Sequence, residues 1–378
     1  MILKPMRTMI MEKLKNNNKV LLGLSGGVDS TAAALLLAQK GLDVTGYHFD
    51  VTGSNQQGLK EAQRLADKLG IELIYEDVSA EFEQKIIDNF CSEYINGRTP
   101  NPCVLCNPQI KFRKLLQKAD EIGAYYIATG HYCRIYFDEK TGFFYPRMGA
   151  SQKKDQSYML YRLGQDVLSR LIFPLGDFED KDKVRQIARS FGMENAEKKD
   201  SQEICFLGDS EDHTRFMSER GIKCPAGNFV DENGNILGRH RGIANYTVGQ
   251  RKGLGIALGK PAYVIRIDRQ NNTVVLGDNG QLFHDRVVCR EPFFTGLAAE
   301  AFEGRKLRAK VRYAAKPEDA FIEVACADDC NGRQYDRSKQ VCDKKIITTF
   351  DKPQRAPAPG QSIVFYDGDI VVGGGFIV

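Results

Sequence analysis

The sequence predicts an α/β protein: a doubly wound parallel sheet at the N-terminus, a small β-rich central domain and a C-terminal β-barrel. Three observations carry that expectation. Over the first half of the chain, short apolar runs alternate with amphipathic helical segments, the rhythm of a parallel sheet covered on both faces. After Cys205 the composition shifts toward glycine and turn-forming residues. From about residue 285 onward, pieces such as KLRAKVRYAA and SIVFYDGDIVVGGGFIV alternate apolar with polar residues, the pattern of antiparallel strands in a small barrel. Boundaries at 1–207, 208–284 and 285–378 follow from these changes.

Each element has its own signal. KVLLGL is a buried strand that enters SGGVDS, and TAAALLLAQKG follows as an Ala/Leu-rich helix closed by glycine. LDVTGYHFDV and IELIYEDV read as strands on either side of the helix GLKEAQRLADKLG. FEQKIIDNFCSEYI is helical. Beyond a loop holding two cysteines, PQIKFRKLLQKADEIG has helical periodicity, with Asn107 as its N-cap and Pro108 at its first position. AYYIATGH is again a strand, and Asn-Gly within GNFVDENGNILG marks a hairpin.

With 378 residues, 27% charged and 42% hydrophobic, the chain has ordinary globular composition and room for two or three cores. No apolar run approaches membrane-spanning length, and Lys and Arg interrupt the first twenty residues, so no membrane partner and a cytoplasmic location are expected. Ten scattered cysteines do not form a dense secreted framework, which leaves reduced thiols. A net charge of +4 is too small to identify a nucleic-acid partner by itself.

Gly23-Leu-Ser-Gly-Gly-Val-Asp-Ser30 lies between a strand and a helix. Small residues there let backbone N–H groups close on an anion, aided by the positive helix end, and Ser25 and Ser30 add hydroxyl donors. Asp29 belongs beside phosphate only if Mg²⁺ lies between them. The loop has no Walker lysine and no G-x-G-x-x-G, which excludes a P-loop NTPase and a dinucleotide fold.

Cys103 and Cys106, in NPCVLCNP, are spaced for metal binding, redox exchange or sulfur handling alike. Zinc needs about two more ligands, and the nearest suitable pair, Cys326 and Cys330, falls in another predicted domain. A thioredoxin-like motif conflicts with the phosphate loop. Cys205, in DSQEICF, supplies a third thiol at the far end of the first domain, so sulfur handling leads. With Asn107 as N-cap, Cys106 would lie just ahead of a positive helix end that favours thiolate. Cys326, Cys330 and Cys342 admit a partial metal site, although reduced cysteines are preferred; Cys91, Cys133, Cys224 and Cys289 read as packing or surface residues.

SGGVDS resembles the pyrophosphate loop of the N-type ATP pyrophosphatases, which cleave ATP between the α and β phosphates and adenylate a carbonyl oxygen. Over almost its full length the chain resembles the tRNA-specific 2-thiouridylase family, through GLSGGVDS, GRTPNPCVLCN with IKF, ATGHY, KKDQSYML, DSQEICF, YTVGQRKGLGI, VRYAAKP and PGQSIVFYDGDIVVGGG. The resemblance implies an adenine nucleotide alpha hydrolase-like N-terminal domain. It implies ATP, with Mg²⁺ near Asp29, on Gly23, Leu24, Ser25, Gly26, Gly27, Val28, Asp29 and Ser30, with contacts at Phe49 and Gly130. It implies a persulfide on Cys205, Cys106 as its partner nucleophile, and Asn101, Pro102 and Cys103 against the wobble uridine. Contacts to tRNA are implied at His131, Lys154, Asp155, Gln156, Arg312, Tyr313 and Gln361. The implied partners are the anticodon stem-loop of tRNA and a persulfide donor such as a cysteine desulfurase or relay protein.

That chemistry is coherent. Adenylation turns the uridine C2 oxygen into a good leaving group, and a persulfide on Cys205 then attacks C2. Cys106 attacks Cys205 to free the sulfur, leaving a Cys106–Cys205 disulfide to be reduced. Two departures from the family pattern stand out. Cys103 occupies a position where many members carry an aspartate, which makes a three-thiol set able to hold an iron–sulfur cluster with one open iron. FDVTGSNQQGLKEAQ is shorter than the corresponding family stretch, as in a paralogue with an altered donor or tRNA subset. Arg308, Lys310 and Arg312 alternate with apolar residues, so on a strand they would form an outward basic face able to track phosphates. Gln250-Arg-Lys-Gly-Leu-Gly255 is another basic loop. Two other readings compete: a pyrophosphatase-group enzyme acting on a small molecule, and a non-catalytic cysteine-metal RNA-binding protein.

Overall fold

The computed structural model describes residues 17–192, 204–207, 212–326 and 344–378. They divide into two compact units. The first takes the described residues within Met1–Lys85, Cys103–Gln202 and Asp369–Val371; the second takes those within Ile86–Pro102, Glu203–Gly368 and Val372–Val378.

The first unit is built on five parallel strands: β1 (Lys19–Gly23), β2 (Asp43–Asp50), β3 (Leu73–Asp77), β4 (Tyr126–Ala128) and, after the hairpin β5 (Cys133–Asp138) and β6 (Phe143–Met148), β7 (Leu171–Ile172). Their order is β3-β2-β1-β4-β7. Alternation along β1 sends its apolar residues to both faces. Val20 and Leu22 pack with α1 (Val28–Gln39) and α2 (Gln56–Leu69), while Leu21 packs with Phe112, Leu115 and Ala119 on the opposite face. The doubly wound sheet expected from the alternating pattern is therefore present. The chain leaves β1 toward β2 on one side and returns at β4 on the other. The carboxyl ends of β1 and β4 thus frame the topological switch point, where open α/β sheets bind their ligands.

One helix boundary differs from expectation. After the short helices α3 (Ser79–Phe82) and α4 (Asp88–Ile95), the chain turns helical again at Pro102, five residues before the expected start at Asn107. α5 (Pro102–Cys106) runs through a π-helical turn, Asn107–Lys111, into α6 (Phe112–Glu121). Asn107 is no N-cap; its buried side chain donates to Met159 O at 2.9 Å. Pro108 sits inside the helical run, where it has no N–H to donate and its ring crowds the preceding turn. The π turn accommodates it, with Phe112 N–H bonding to Asn107 O. An Asn-Pro start signal here marks a bulge.

The second unit contains α4, α9 (His213–Glu219) and two β-systems; the intervening α7 (Gln165–Leu168) and α8 (Lys181–Ser190) belong to the first unit. A four-stranded sheet has the order β10-β11-β8-β9, from β8 (Gly227–Val230), β9 (Ile236–His240), β10 (Tyr263–Asp268) and β11 (Thr273–Gly277). β8 and β9 form the expected hairpin, and Phe229, Tyr246, Val264, Val274 and Leu276 fill the core. Beyond it lie β12 (Phe283–Phe294), β13 (Leu307–Lys310), β14 (Glu318–Cys326), β15 (Lys344–Arg355), β16 (Ser362–Asp367) and β17 (Ile370–Ile377). They run in the order β12-β15-β14-β13-β16-β17, and pairing of β12 with β17 closes a six-stranded antiparallel barrel.

The expected basic strand face is not formed as a continuous stripe. β13 ends at Lys310, whose side chain is only 6% exposed, with its ammonium 5.7 Å from the centre of the Tyr313 ring. Arg312 and Tyr313 instead stand exposed in the turn that follows. The alternation rule fails because the strand stops before the basic series does.

Candidate functional site

The phosphate loop begins where β1 ends. Gly27 is the N-cap of α1 and makes no side-chain capping bond, an arrangement that suits an anion at the first-turn amides. Ser30 Oγ and Thr31 Oγ1 both donate to Gly27 O at 3.0 Å, and Ser25 Oγ lies 3.3 Å from Ser30 Oγ. Gly26 has φ +75°, and a Cβ there would fall 2.7 Å from Glu61 Cβ, so the turn requires glycine. Leu24 is buried, and its carbonyl bonds to His48 Nδ1 at 2.8 Å, tying the loop to β2. Phe49, half-buried, lies near the carboxyl end of that strand. An uncapped helix end lined by small residues fits a polyphosphate.

Gly130 closes the other side of the switch point. A Cβ at this position would lie 2.8 Å from Asp29 C and 3.0 Å from Ser30 N, so only glycine lets the β4 turn approach α1 this closely. On the expectation from the sequence that this loop holds ATP, Gly130→Ala weakens its binding by about 5- to 150-fold, from roughly 1–3 kcal/mol of overpacking at the loop. Calorimetric titration checks it; wild-type affinity would mean that the loop yields without consequence.

Asp29, on the first turn of α1, is held from two sides. Tyr132 Oη donates to its Oδ1 at 2.8 Å, and Lys181 Nζ donates to its Oδ2 at 3.1 Å. Lys181 is the first residue of α8 and is only 9% exposed. Tyr132 is in turn clasped by Gln156, whose N–H donates to Tyr132 O and whose Oε1 accepts from Tyr132 N. Asp155, 3% exposed, accepts from Gly149 N, Ser157 N and Ser157 Oγ, which fixes the turn carrying the half-buried Lys154. Neither Lys181 nor Tyr132 was singled out from sequence. Lys181 opens a charged amphipathic stretch that resembles any solvated helix start, and Tyr132 stands in ATGHY beside His131, whose imidazole is the more conspicuous functional group.

The thiols occupy contrasting surroundings. Cys106 is buried in αR conformation within the helical run, so the premise of a helix N-terminus just beyond it does not hold. Cys103 lies in the first turn of α5, yet burial pushes its thiol up, with Lys111 partly opposing the shift. Cys205 is exposed, and the neighbouring Phe206 is buried edge-to-face against Phe90 with centroids 5.1 Å apart, and against Phe216 at 5.3 Å. An aromatic anchor therefore fixes the short segment that displays the thiol. Among the described residues, no group of three or more His, Cys, Asp or Glu side chains is placed to hold a metal ion. Cys330 and Cys342 lie outside the described residues, as does the side chain of Cys326.

His131 Nδ1 lies 2.7 Å from Thr129 Oγ1, and its ring packs against Phe112 and Phe173. Burial, reinforced by the Lys111 ammonium, holds its pKa well below the usual histidine range. The ring is thus neutral at pH 7. Because the folded value is depressed, protons bind preferentially to the unfolded chain below about pH 6.5, and stability falls as the pH drops. His131→Gln is expected to flatten that part of the acid profile, by up to about 1.4 kcal/mol per pH unit. Urea titrations between pH 7 and 5 measure it, and an unchanged slope would show that His131 is not the group responsible.

In the second unit, the segment after α4 carries Asn101, half-buried, and Pro102, buried. Thr99 N–H bonds to Pro359 O at 2.8 Å, and the Gln361 carboxamide donates to Thr99 O at 2.8 Å. Glu93 pairs with Arg98 at 2.7 Å and with Arg290 at 3.4 Å. Gln361 therefore positions the Asn101 segment through its backbone.

Comparison with known proteins agrees with this architecture. A family model described as the tRNA methyl transferase HUP domain matches residues 18–209. The tRNA methyl transferase PRC-barrel domain matches 214–278, and the aminomethyltransferase beta-barrel domain matches 335–377. The chain is 43% identical over 378 residues to tRNA-specific 2-thiouridylase MnmA 1 of Thermoanaerobacter sp. (strain X514), covering 96% of this chain and 99% of that relative. It is 44% identical over 373 residues to tRNA-specific 2-thiouridylase MnmA of Clostridioides difficile (strain 630), covering 96% and 98%. The corresponding protein of Clostridium acetobutylicum is 43% identical over 377 residues, covering 96% and 99%. No helix among the described residues is long and apolar enough to cross a membrane.

Proposed function

The chain belongs to the tRNA-specific 2-thiouridylase family, and from that premise we propose that it uses ATP to replace the C2 oxygen of the wobble uridine, position 34 of tRNA, with sulfur. The observation that carries the ATP step is the uncapped, glycine-lined start of α1 at the switch point of the sheet. The residues from Gly23 to Ser30, with Gly130 opposite, hold the phosphates; Asp29 is the residue that would hold Mg²⁺ arriving with ATP, and the ion would supply charge screening there. The uridine O2 attacks the α-phosphorus, the bond to pyrophosphate breaks, and the base becomes an O-adenylate.

Sulfur then arrives on Cys205, loaded as a persulfide by a donor protein. Its terminal sulfur attacks C2, and the C2–O bond breaks with AMP as leaving group. Cys106, as thiolate, attacks the Cys205 sulfur; the S–S bond to the base breaks and the electron pair remains on the base as thiocarbonyl. The resulting Cys106–Cys205 disulfide is reset by an external dithiol. Exposure of Cys205 on its anchored segment supports the loading step. The uridine lies against Asn101, Pro102 and Cys103, while His131, Lys154, Arg312 and Tyr313 contact the anticodon stem-loop.

Two measurements test the reading. Purified protein is expected to release AMP from ATP only when tRNA and a persulfide donor are present. Deletion of the gene is expected to remove 2-thiouridine derivatives from digested tRNA by mass spectrometry, with restoration by wild type. AMP release independent of tRNA would favour a small-molecule acceptor instead.

A further inference from the structure

We infer that Lys181 is a further group of the nucleotide site, holding Asp29 in the resting protein and turning to the β and γ phosphates when a nucleoside triphosphate arrives with its cation. The inference rests on the reading of Gly23–Ser30 as a nucleotide loop, and it assigns a role to a residue that neither the loop motif nor the cysteine chemistry includes.

Three observations converge on it. Lys181 is nearly buried, and its ammonium reaches Asp29 Oδ2 at 3.1 Å on the first turn of the anion-binding helix. A surface lysine with a solvated role has no reason to enter a phosphate cradle, because burial of an ammonium is costly without a fixed counter-charge. Next, the backbone beneath it is fixed. Val184 and Ala188 of α8 pack in one cluster with Val28 and Ala32 of α1, so the flexible lysine stem can turn while its helix stays in place. Finally, Asp29 does not depend on Lys181 alone, since Tyr132 Oη binds its other oxygen at 2.8 Å.

The charges dictate the exchange. A polyphosphate entering the loop would repel the Asp29 carboxylate unless a divalent cation lies between them. Once the cation takes the carboxylate, the ammonium loses its partner while a new anion of higher charge stands within reach. Lys181 then compensates phosphates that AMP lacks. Tyr132, still bonded to Asp29, keeps the carboxylate aimed during the transfer.

This predicts a difference between nucleotides. Lys181→Gln is expected to weaken Mg·ATP binding by roughly 10- to 100-fold, the scale of one charge-assisted hydrogen bond, while AMP affinity stays within about threefold, all by isothermal calorimetry. Equal losses for ATP and AMP, or none for ATP, would overturn the inference. Asp29→Asn supplies a near-isosteric second variant. In EDTA it is expected to bind metal-free ATP at least about fivefold more tightly than wild type, because Lys181 is released and a like charge is removed. That gain should be clearly smaller when Asp29→Asn is made in the Lys181→Gln background, where only the removed like charge remains, and the difference between the two gains is the coupling that reports on the lysine. A gain of equal size in both backgrounds also overturns the inference. Wild-type protein that binds neither ATP nor AMP would overturn the nucleotide reading itself, whereas tight ATP binding unaffected by Lys181→Gln would remove only the role given to Lys181.

Discussion

Cys205→Ser is expected to abolish sulfur transfer to tRNA, by at least ~10³-fold, while ATP binding and unfolding midpoint remain at wild-type values. A hydroxyl cannot be loaded with sulfur by thiol–disulfide exchange, so the loss falls on the step that brings sulfur to the base. The residue is exposed, and its neighbour Phe206 supplies the anchoring in the aromatic cluster with Phe90 and Phe216, so serine at position 205 removes chemistry without removing packing. Two assays check this: 2-thiouridine formed from ATP, tRNA and a persulfide donor, and calorimetric titration of ATP. A variant that still turns over at the wild-type rate would exclude Cys205 as the obligatory sulfur carrier. Loss of both activities together would point to misfolding of the 204–207 segment instead.

What the sequence disclosed depended on whether a feature was local. Strand β1 and the loop after it were legible because a buried apolar run, small residues and an Ala/Leu helix follow one another without interruption. The closed barrel was legible as alternation, although pairing of β12 with β17, which closes it, leaves no local mark. Asn107-Pro108 misled because a start signal and a π bulge use the same residues; the deciding facts are a helix already running from Pro102 and the bond from Asn107 to Met159. Arg312 misled because alternation was extended past the end of β13, which stops at Lys310. Lys181 was invisible for a different reason. Its partner Asp29 is 152 positions away, and nothing in EDKDKVRQIA distinguishes a buried first-turn lysine from its solvated neighbours. Gln361 is similar: its bond to Thr99, 262 positions away, leaves no local mark.

Cys106→Ala is expected to stop the reaction at a later stage than Cys205→Ser does, and the difference in stage is what identifies the partner thiol. If Cys106 breaks the bond between Cys205 and the transferred sulfur, its loss leaves loading, adenylation and attack on C2 intact. Multiple turnover should then fall by about 10³-fold or more, while AMP release persists for one equivalent. The trapped species is Cys205 joined to C2 of the base through a disulfide, so protein and tRNA should migrate together until a strong thiol reductant separates them. Alanine is a fair probe at this position. Cys106 is buried in ordinary αR geometry between Leu105 and Asn107, where alanine has the highest helix propensity and removes only a sulfur. Absence of a reducible adduct together with full turnover would remove Cys106 from the mechanism. Absence of both adduct and AMP release would place Cys106 at or before the attack on C2, and the order of steps proposed for the two thiols would have to be revised. The burial of Cys106 and the exposure of Cys205 favour the first outcome: a thiol that receives sulfur from outside must be accessible, whereas one that acts only on that sulfur is protected from competing oxidants until it is needed.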